Sequence, residues 1–222
     1  MVEGARLESV YSNCIGIEGS NPFLSANQIF YLTNQLIMRL FKTIEARRSI
    51  FPKQYNDRPI KNEDLKLILK SANFAPTHKK TEPWRFKVLQ NDYKNEFGKF
   101  LSEKYKNTTT KFSEFKFESI SNNIKRSSAI ILICMQRDPL NSIPEWEEIA
   151  SVSMAVQNMW LVSTELNIGS YWSSSKLIHY VHEFIKLKEG EKCLGIFYMG
   201  CYDKKVTKRI PGSYEDKVCW FK

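Results

Sequence analysis

Seven consecutive apolar residues, Ala129-Ile130-Ile131-Leu132-Ile133-Cys134-Met135, constrain this chain more than any other stretch. A strand points successive side chains to opposite faces, so a run that is apolar at every position leaves no face for water. It reads as an inner strand covered from both sides. Cys193-Leu194-Gly195-Ile196-Phe197-Tyr198-Met199 carries the same mark. Two such strands need helices on both faces of one sheet, which points to a three-layer α/β or α+β domain whose topology the pattern leaves open.

Candidate covering helices surround these runs. Asn21-Pro22 reads as a cap followed by Pro at the first helical position, and Ile29, Leu32, Leu36, Leu40 and Ile44 continue an apolar stripe up to Arg47-Arg48-Ser49. Asn62-Glu63-Asp64 opens a second helix, with Leu65, Ile68, Leu69 and Ala72 at helical spacing and Pro76 as its stop. Thr77 to Pro83 is then a loop, and Trp84 to Val88 alternates like a half-buried strand. Helices follow from Tyr93 to Tyr105 and, after the polar break at Asn107 to Thr110, through Lys125. Trp146 to Leu166 is a long helix whose second half is apolar over more than one stripe, so it needs two partners, one of them plausible as a second subunit. Gly169 ends it, Tyr171-Trp172 begins a short extended piece, and Ile178 to Lys186 reads as a last helix. With no repeat and no linker, residues 21–222 read as one domain behind an N-terminal extension, 1–20.

Charge and composition exclude several classes. The net charge of +9 is scattered over short clusters such as Lys79-Lys80, Lys125-Arg126 and Lys204 to Arg209, and no nucleic-acid-binding signature accompanies it, so no nucleic-acid partner is expected. The cysteines at 14, 134, 193, 201 and 219 form an odd set without a Cys-x-x-Cys pair, which fits a reduced compartment. Cys134 and Cys193 lie in apolar runs and read as small hydrophobes. The first twenty residues carry neither a secretory nor a transit pattern, and the longest apolar run is too short to span a bilayer. A cytoplasmic protein without a membrane anchor is expected. His179 and His182 stand at i, i+3 with no evident third ligand, so no metal is expected. Ser173-Ser174-Ser175 lacks the Gly-x-Ser-x-Gly frame of an activated serine.

Two polar constellations remain. Arg47 and Arg48 sit at a helix end where two planar guanidinium forks reach one phosphate, and Ser49 adds a neutral donor. Ala75-Pro76-Thr77-His78-Lys79-Lys80-Thr81-Glu82-Pro83-Trp84 sets a basic loop between a helix stop and a strand start, where side chains converge on ligands. Taken alone, each also describes ordinary surface.

Their order along the chain resembles the FMN-dependent nitroreductase family. A long helix, Arg-Arg-Ser, a short capped helix, Ala-Pro, a polar loop and Pro-Trp before a strand follow one another there. Glu145-Trp146-Glu147 leading into the helix with Gln157-Asn158 is similar to the family's central helix. Leu166-Asn167-Ile168-Gly169-Ser170-Tyr171-Trp172-Ser173-Ser174 is similar to its flavin loop, and Leu194 to Gly200 with the basic residues behind it to its last strand and tail. His-Lys after Ala-Pro resembles a compact bacterial-type subgroup.

The resemblance implies an α+β, three-layer fold with a mixed sheet flanked by helices, in an intertwined homodimer exchanging C-terminal arms, here Ser213 to Phe221. It implies FMN held at its phosphate and ribityl end by Arg47, Arg48 and Ser49, with one or more of Lys205, Lys208 and Arg209 adding charge. Thr77, His78 and Lys79 would come from the opposite subunit, and Trp172, Ser173 and Ser174 would border the isoalloxazine ring. It further implies hydride transfer from NADH or NADPH to flavin N5 and on to an electron-poor small molecule, such as a nitroaromatic or quinone, in ping-pong order. Glu82 stands where many members have Gln, and Ser175 where a Gly often follows; a carboxylate at the ring would oppose the charge of reduced flavin unless it faces solvent. The competing expectation is a non-catalytic flavin-binding or basic nucleic-acid-binding protein.

Overall fold

The computed structural model describes residues 26–203 and 206–222, with backbone alone for 26–32. The expected helix start at Asn21-Pro22, the side chains of Ile29 and Leu32, and Lys205 lie outside the described residues. Helix α1 spans Ala26–Ala46. The chain divides into two compact units, one ending at Phe41 and one covering Lys42–Lys222. In the first unit α1 presents Leu36, Ile37, Leu40 and Phe41 as exposed apolar side chains.

In the second unit the order is α2 (Asn62–Ala72), β1 (Trp84–Leu89), α3 (Asn91–Thr108), α4 (Glu114–Arg126), β2 (Ala129–Gln136), α5 (Glu145–Glu165), β3 (Ile168–Ser173), α6 (Val181–Phe184) and β4 (Glu191–Cys201). The sheet order is β1-β2-β4-β3. Both doubly apolar runs are the inner strands, as their lack of a polar face requires.

Three layers follow from strand alternation. On one face Ile131, Ile133 and Met135 of β2 and Phe197 and Met199 of β4 meet Leu65, Ile68 and Ala72 of α2 and Val152, Ala155, Val156 and Met159 of α5. On the other, Ile130, Leu132 and Cys134 with Ile196 and Tyr198 meet Phe97 and Leu101 of α3, Ile124 of α4 and Val181 of α6. Each fully buried Leu, Ile or Phe contributes about 1.5–3 kcal/mol relative to exposure, so the two apolar strands carry much of the stability.

All three pairings within the described residues are antiparallel, where a mixed sheet was the expectation. The connections explain this. One helix between two strands returns the chain to its starting edge, but β1 and β2 are joined by two packed helices, α3 and α4, which reverse its direction twice. The single crossover, through α5, does leave β2 and β3 pointing the same way, and β4 slots antiparallel between them. Apolar runs carry no record of direction.

Local differences have local causes. Asn62 is the first helical residue rather than the cap, which is Lys61 and makes no side-chain bond. The helix expected over Ile178 to Lys186 is a 3-10 turn, Lys176–Tyr180, followed by the single turn of α6. It stops because Ile185 turns extended, φ −125° and ψ 125°, while Phe184 lodges against Phe97 and Phe100 at 5.2 Å. No described helix is long and apolar enough to cross a membrane.

Candidate functional site

The end of α1 is assembled around Arg47 and Arg48. Arg47 N–H closes the last helical turn on Thr43 O at 3.0 Å. The Arg48 guanidinium folds back, Nη1 donating to the carbonyls of Glu45 (2.6 Å) and Arg47 (2.7 Å), and Nε to Thr207 O at 3.3 Å. Helix C-termini leave carbonyls unpaired, and a cation there satisfies them and complements the helix dipole. Arg48 thus ties the helix end to the segment following β4. Arg47 has a different setting: its guanidinium lies 4.7 Å from the ring centroid of Trp160, a residue of α5, and makes no hydrogen bond to the described residues. Trp160 Nε1 donates to Arg48 O at 3.1 Å, so one indole orients both arginines.

Burial, then the charges of Arg48 and Arg209, hold the Arg47 guanidinium below its ordinary value. Three guanidinium groups near one another repel, and an anion among them would relieve that repulsion. A groove of about 650 Å³ opens beside them, lined by Lys42, Arg48, Asn167, Tyr202 and Lys208 together with the carboxylates of Glu45 and Asp203. Asn167 has φ +55° and turns the chain from α5 into β3, a left-handed position that Asn tolerates. Of the expected phosphate ligands, Arg48 and Lys208 line the groove, Arg47 lies within the charge influence of Arg48 and Arg209, and Ser49 is exposed next to Arg48 in the chain.

Tyr55 fixes the chain leaving this cluster. Its single hydroxyl proton is shared between Ile50 O (2.8 Å) and Tyr198 O (3.1 Å), while Ile50 N–H donates to Ser170 O at 3.0 Å. The ring needs two facing glycines, Gly169 and Gly200, which are register partners in β3 and β4. A Cβ on Gly200 would stand 2.5 Å from the Tyr55 ring, and one on Gly169 would stand 3.0 Å from it. Arg-Arg-Ser is thereby docked against the start of β3.

At the other end of β3, Ser173 is half-buried and Ser174 exposed where the strand leaves the sheet. The Trp172 indole turns inward over Gly195, where a Cβ would fall 2.0 Å from Nε1. That N–H is buried without a partner among the described residues. The Trp172 side chain is thus core packing.

The loop after α2 forms a separate group. It contains a 3-10 turn, His78–Lys80, and three non-glycine residues in the left-handed region, Lys79 (φ 49°), Lys80 (φ 56°) and Glu82 (φ 41°). Such conformations cost about 1 kcal/mol or more each and persist where surroundings hold them. Here Thr77 Oγ1 accepts from Glu82 N–H, His78 Nδ1 meets Glu147 Oε2 at 2.5 Å, and Lys79 Nζ donates to Ser142 O at 2.9 Å. The last contact rests on a fixed loop, because buried Glu148 receives Asp138 N–H and pairs with Arg137. Glu82 is exposed and faces solvent.

His78 is thus anchored at the first turn of α5, whereas Arg47 lies over Trp160 roughly thirteen residues further on, about 20 Å along the axis at 1.5 Å per residue. One chain does not bring these two groups together. Sequence reasoning missed Trp160, Glu147 and Tyr55 as positioning residues; of these only Tyr55, between Pro52 and Pro59, carried no signal at all. Acidic Glu145-Trp146-Glu147 and the apolar stripe around Trp160 mark a helix in the sequence, but neither pattern carries its long-range partner.

A family model described as the nitroreductase family matches residues 44–201, from the end of α1 to the end of β4. The chain belongs to the nitroreductase family. Among its relatives, Bacillus subtilis "Putative NAD(P)H nitroreductase YfhC" is 30% identical over 177 residues, covering 76% of this chain and 88% of that protein. Escherichia coli K12 "Putative NAD(P)H nitroreductase YdjA" is 26% identical over 151 residues, covering 67% of this chain and 81% of that protein. Among solved structures, the nitroreductase-like family protein from Bacillus cereus superposes with a TM-score of 0.69 at 25% identity, over 82% of this chain and 95% of that one. A nitroreductase with bound FMN from Bacteroides fragilis has the same fold, with a TM-score of 0.60 at 18% identity over 82% of this chain and 98% of that one.

Proposed function

We propose that this nitroreductase-family protein is an FMN-dependent oxidoreductase that takes hydride from NADH or NADPH and passes it to an electron-poor small molecule. The observation that carries this reading is the clustering of Arg47 with the charges of Arg48 and Arg209 at the end of α1, beside a groove lined by Arg48 and Lys208. A phosphate monoester fits that setting, since it relieves the mutual repulsion of the arginines and matches their planar donors. The names of the relatives and the FMN in the Bacteroides fragilis structure support it further.

When bound, FMN supplies the two-electron hydride chemistry. The chain's own residues then bind and orient. Arg47 holds the phosphate from its seat on Trp160, with one or more of Lys205, Lys208 and Arg209 adding charge and Ser49 a hydroxyl. Arg48 keeps the helix end and the tail segment together. Ser173 and Ser174, with the backbone of Trp172, border the ring system, and backbone N–H groups there stabilise negative charge that develops on reduction.

Thr77, His78 and Lys79 complete the site from a second copy of the chain, in a homodimer. Two observations support this: His78 and Arg47 sit at opposite ends of α5, and Ile210, Tyr214, Trp220 and Phe221 of the tail are exposed. Several large apolar side chains left exposed in one segment mark a contact surface. Use of NADH or NADPH fits a cytoplasmic protein, and an alternating, ping-pong order fits a single site visited by donor and acceptor in turn.

The test is the visible spectrum of the purified protein before and after anaerobic NADH or NADPH. A yellow protein that bleaches is expected. Retained flavin that fails to bleach with either donor would leave a non-catalytic flavin-binding protein, and a colourless protein with steeply salt-dependent RNA binding would leave a nucleic-acid-binding one. Parallel initial-rate plots are expected for the ping-pong order, and intersecting lines would exclude it.

A further inference from the structure

One irregularity in the sheet sets two sulfur atoms face to face. Strands β2 and β4 pair in step from Ala129 opposite Met199 to Ile133 opposite Gly195; the register then slips, and Cys134 stands opposite Cys193. Without that slip Leu194 would face Cys134. Instead, Leu194 packs into the core shared with α2 and α5, and Cys193 turns to the opposite core, where Cys134 lies. Directly opposed residues on antiparallel strands have Cα atoms about 4.5–5.5 Å apart, within the span that a disulfide bridges without backbone movement.

Both thiols are free. Cys134 is fully buried, whereas Cys193 is only partly buried. The two thiols share a hydrogen bond, which pushes the Cys134 thiol up and the Cys193 thiol down. Lys87 and Glu191, paired at 2.5 Å, lie nearby and act on Cys193 in opposite directions, the carboxylate raising its thiol slightly more than the ammonium lowers it. The asymmetry is that of an attacking and a resolving thiol.

We propose that Cys134 and Cys193 form a redox pair that a peroxide oxidises to a cross-strand disulfide. The Cys193 thiolate attacks a peroxide oxygen, forming a sulfenic acid as the O–O bond breaks and the leaving oxygen takes a proton to become water. The Cys134 sulfur then attacks the sulfenic sulfur, the S–S bond forms, and the hydroxyl leaves with the Cys134 proton as a second water. Two thiols lose two electrons and hydrogen peroxide becomes two waters. A dithiol reductant reverses it. The bridge would close a loop holding α5 and β3, the elements that carry Trp160 and Ser173, and it acts independently of the flavin reading.

Mass spectrometry on the full-length protein tests this. After hydrogen peroxide, alkylation in denaturant and tryptic digestion, a peptide joining Ser127–Arg137 to Cys193–Lys204 is expected, with fragmentation placing the bridge on Cys193 rather than on Cys201 in the same peptide. Dithiothreitol should remove it. In Cys134→Ser, dimedone should trap Cys193 as a sulfenic acid; in Cys193→Ser, Cys134 should remain fully alkylatable. Complete alkylation of both thiols in the wild-type protein after peroxide, or a bridge to Cys201 instead, would overturn the proposal, whether or not the protein carries flavin.

Discussion

The indole N–H of Trp160 donates to the carbonyl oxygen of Arg48 at 3.1 Å, and the face of the same ring lies 4.7 Å from the guanidinium of Arg47. One side chain of the central helix therefore aims the arginine pair. Arg47→Ala removes a charge-assisted contact worth about 1.5–3 kcal/mol, so FMN should bind roughly 10- to 100-fold more weakly. Trp160→Phe keeps an aromatic face but loses the N–H and the larger indole surface, and a loss of at least about 1 kcal/mol, several-fold in Kd, is expected. Fluorescence titration of apoprotein with FMN checks both. Unchanged affinity in Arg47→Ala would remove the phosphate assignment.

Tyr55 and Gly200 should behave as a unit. Tyr55→Phe strips a hydroxyl from two carbonyls and should cost about 1–3 kcal/mol of stability. Gly200→Ala drives a methyl group into the ring, which lies 2.5 Å from the Cβ position, and should be at least as damaging. Urea unfolding measures each. Because the two changes act on one contact, the double variant should cost less than the sum.

Residues in the core were legible in the sequence, and residues that meet across the fold were not. The seven apolar residues of β2 announced an inner strand because burial on both faces is a property of the strand itself. Arg47, Arg48, Lys208 and Arg209 were legible as candidates through their chemistry, and the structure gathers them. Glu147 lies 69 positions from His78, and Trp160 lies 112 from Arg48, so no local pattern records either contact. Strand direction escaped for a related reason: it depends on how many helices separate two strands and how they pack, which periodicity does not encode. The left-handed residues of the loop at Lys79 to Glu82 gave no sign either, since none is Gly or Asn.

Acid sensitivity should concentrate at Glu191. Burial pushes its carboxyl up, but hydrogen bonds from Lys188 N–H and the Lys87 ammonium outweigh burial and hold it below its ordinary value. A group depressed in the folded state contributes stability that is fully present above the unfolded value, about 4.3 for Glu, and is lost as pH falls through the lower folded value. Glu191→Gln should therefore be less stable than the wild-type protein at pH 7, and the difference should shrink below about pH 4. Unfolding curves at pH 7 and pH 3 compare them; a gap that widens on acidification would contradict the assignment.

The C-terminal tail gives a test of assembly. Truncation before Ser213 removes Tyr214, Trp220 and Phe221, all exposed in the isolated chain. Sedimentation analysis should show a shift from dimer towards monomer at micromolar concentration, with FMN retention falling in parallel. A truncated protein that stays dimeric and yellow would assign the contact to other surfaces.

The place of β4 has a consequence for how this protein is made. Of the four described strands it is the last to be synthesised, yet it lies between β2 and β3, so neither neighbour has its inner edge paired until Glu191–Cys201 has emerged from the ribosome. Until then the apolar face and open edge of β2 are exposed on a nascent chain, which is the condition under which strands pair with the wrong partner and aggregate. Completion of the sheet must wait for Glu191–Cys201, and slow synthesis or loss of nascent-chain protection should lower the yield of this protein more than its final stability would suggest.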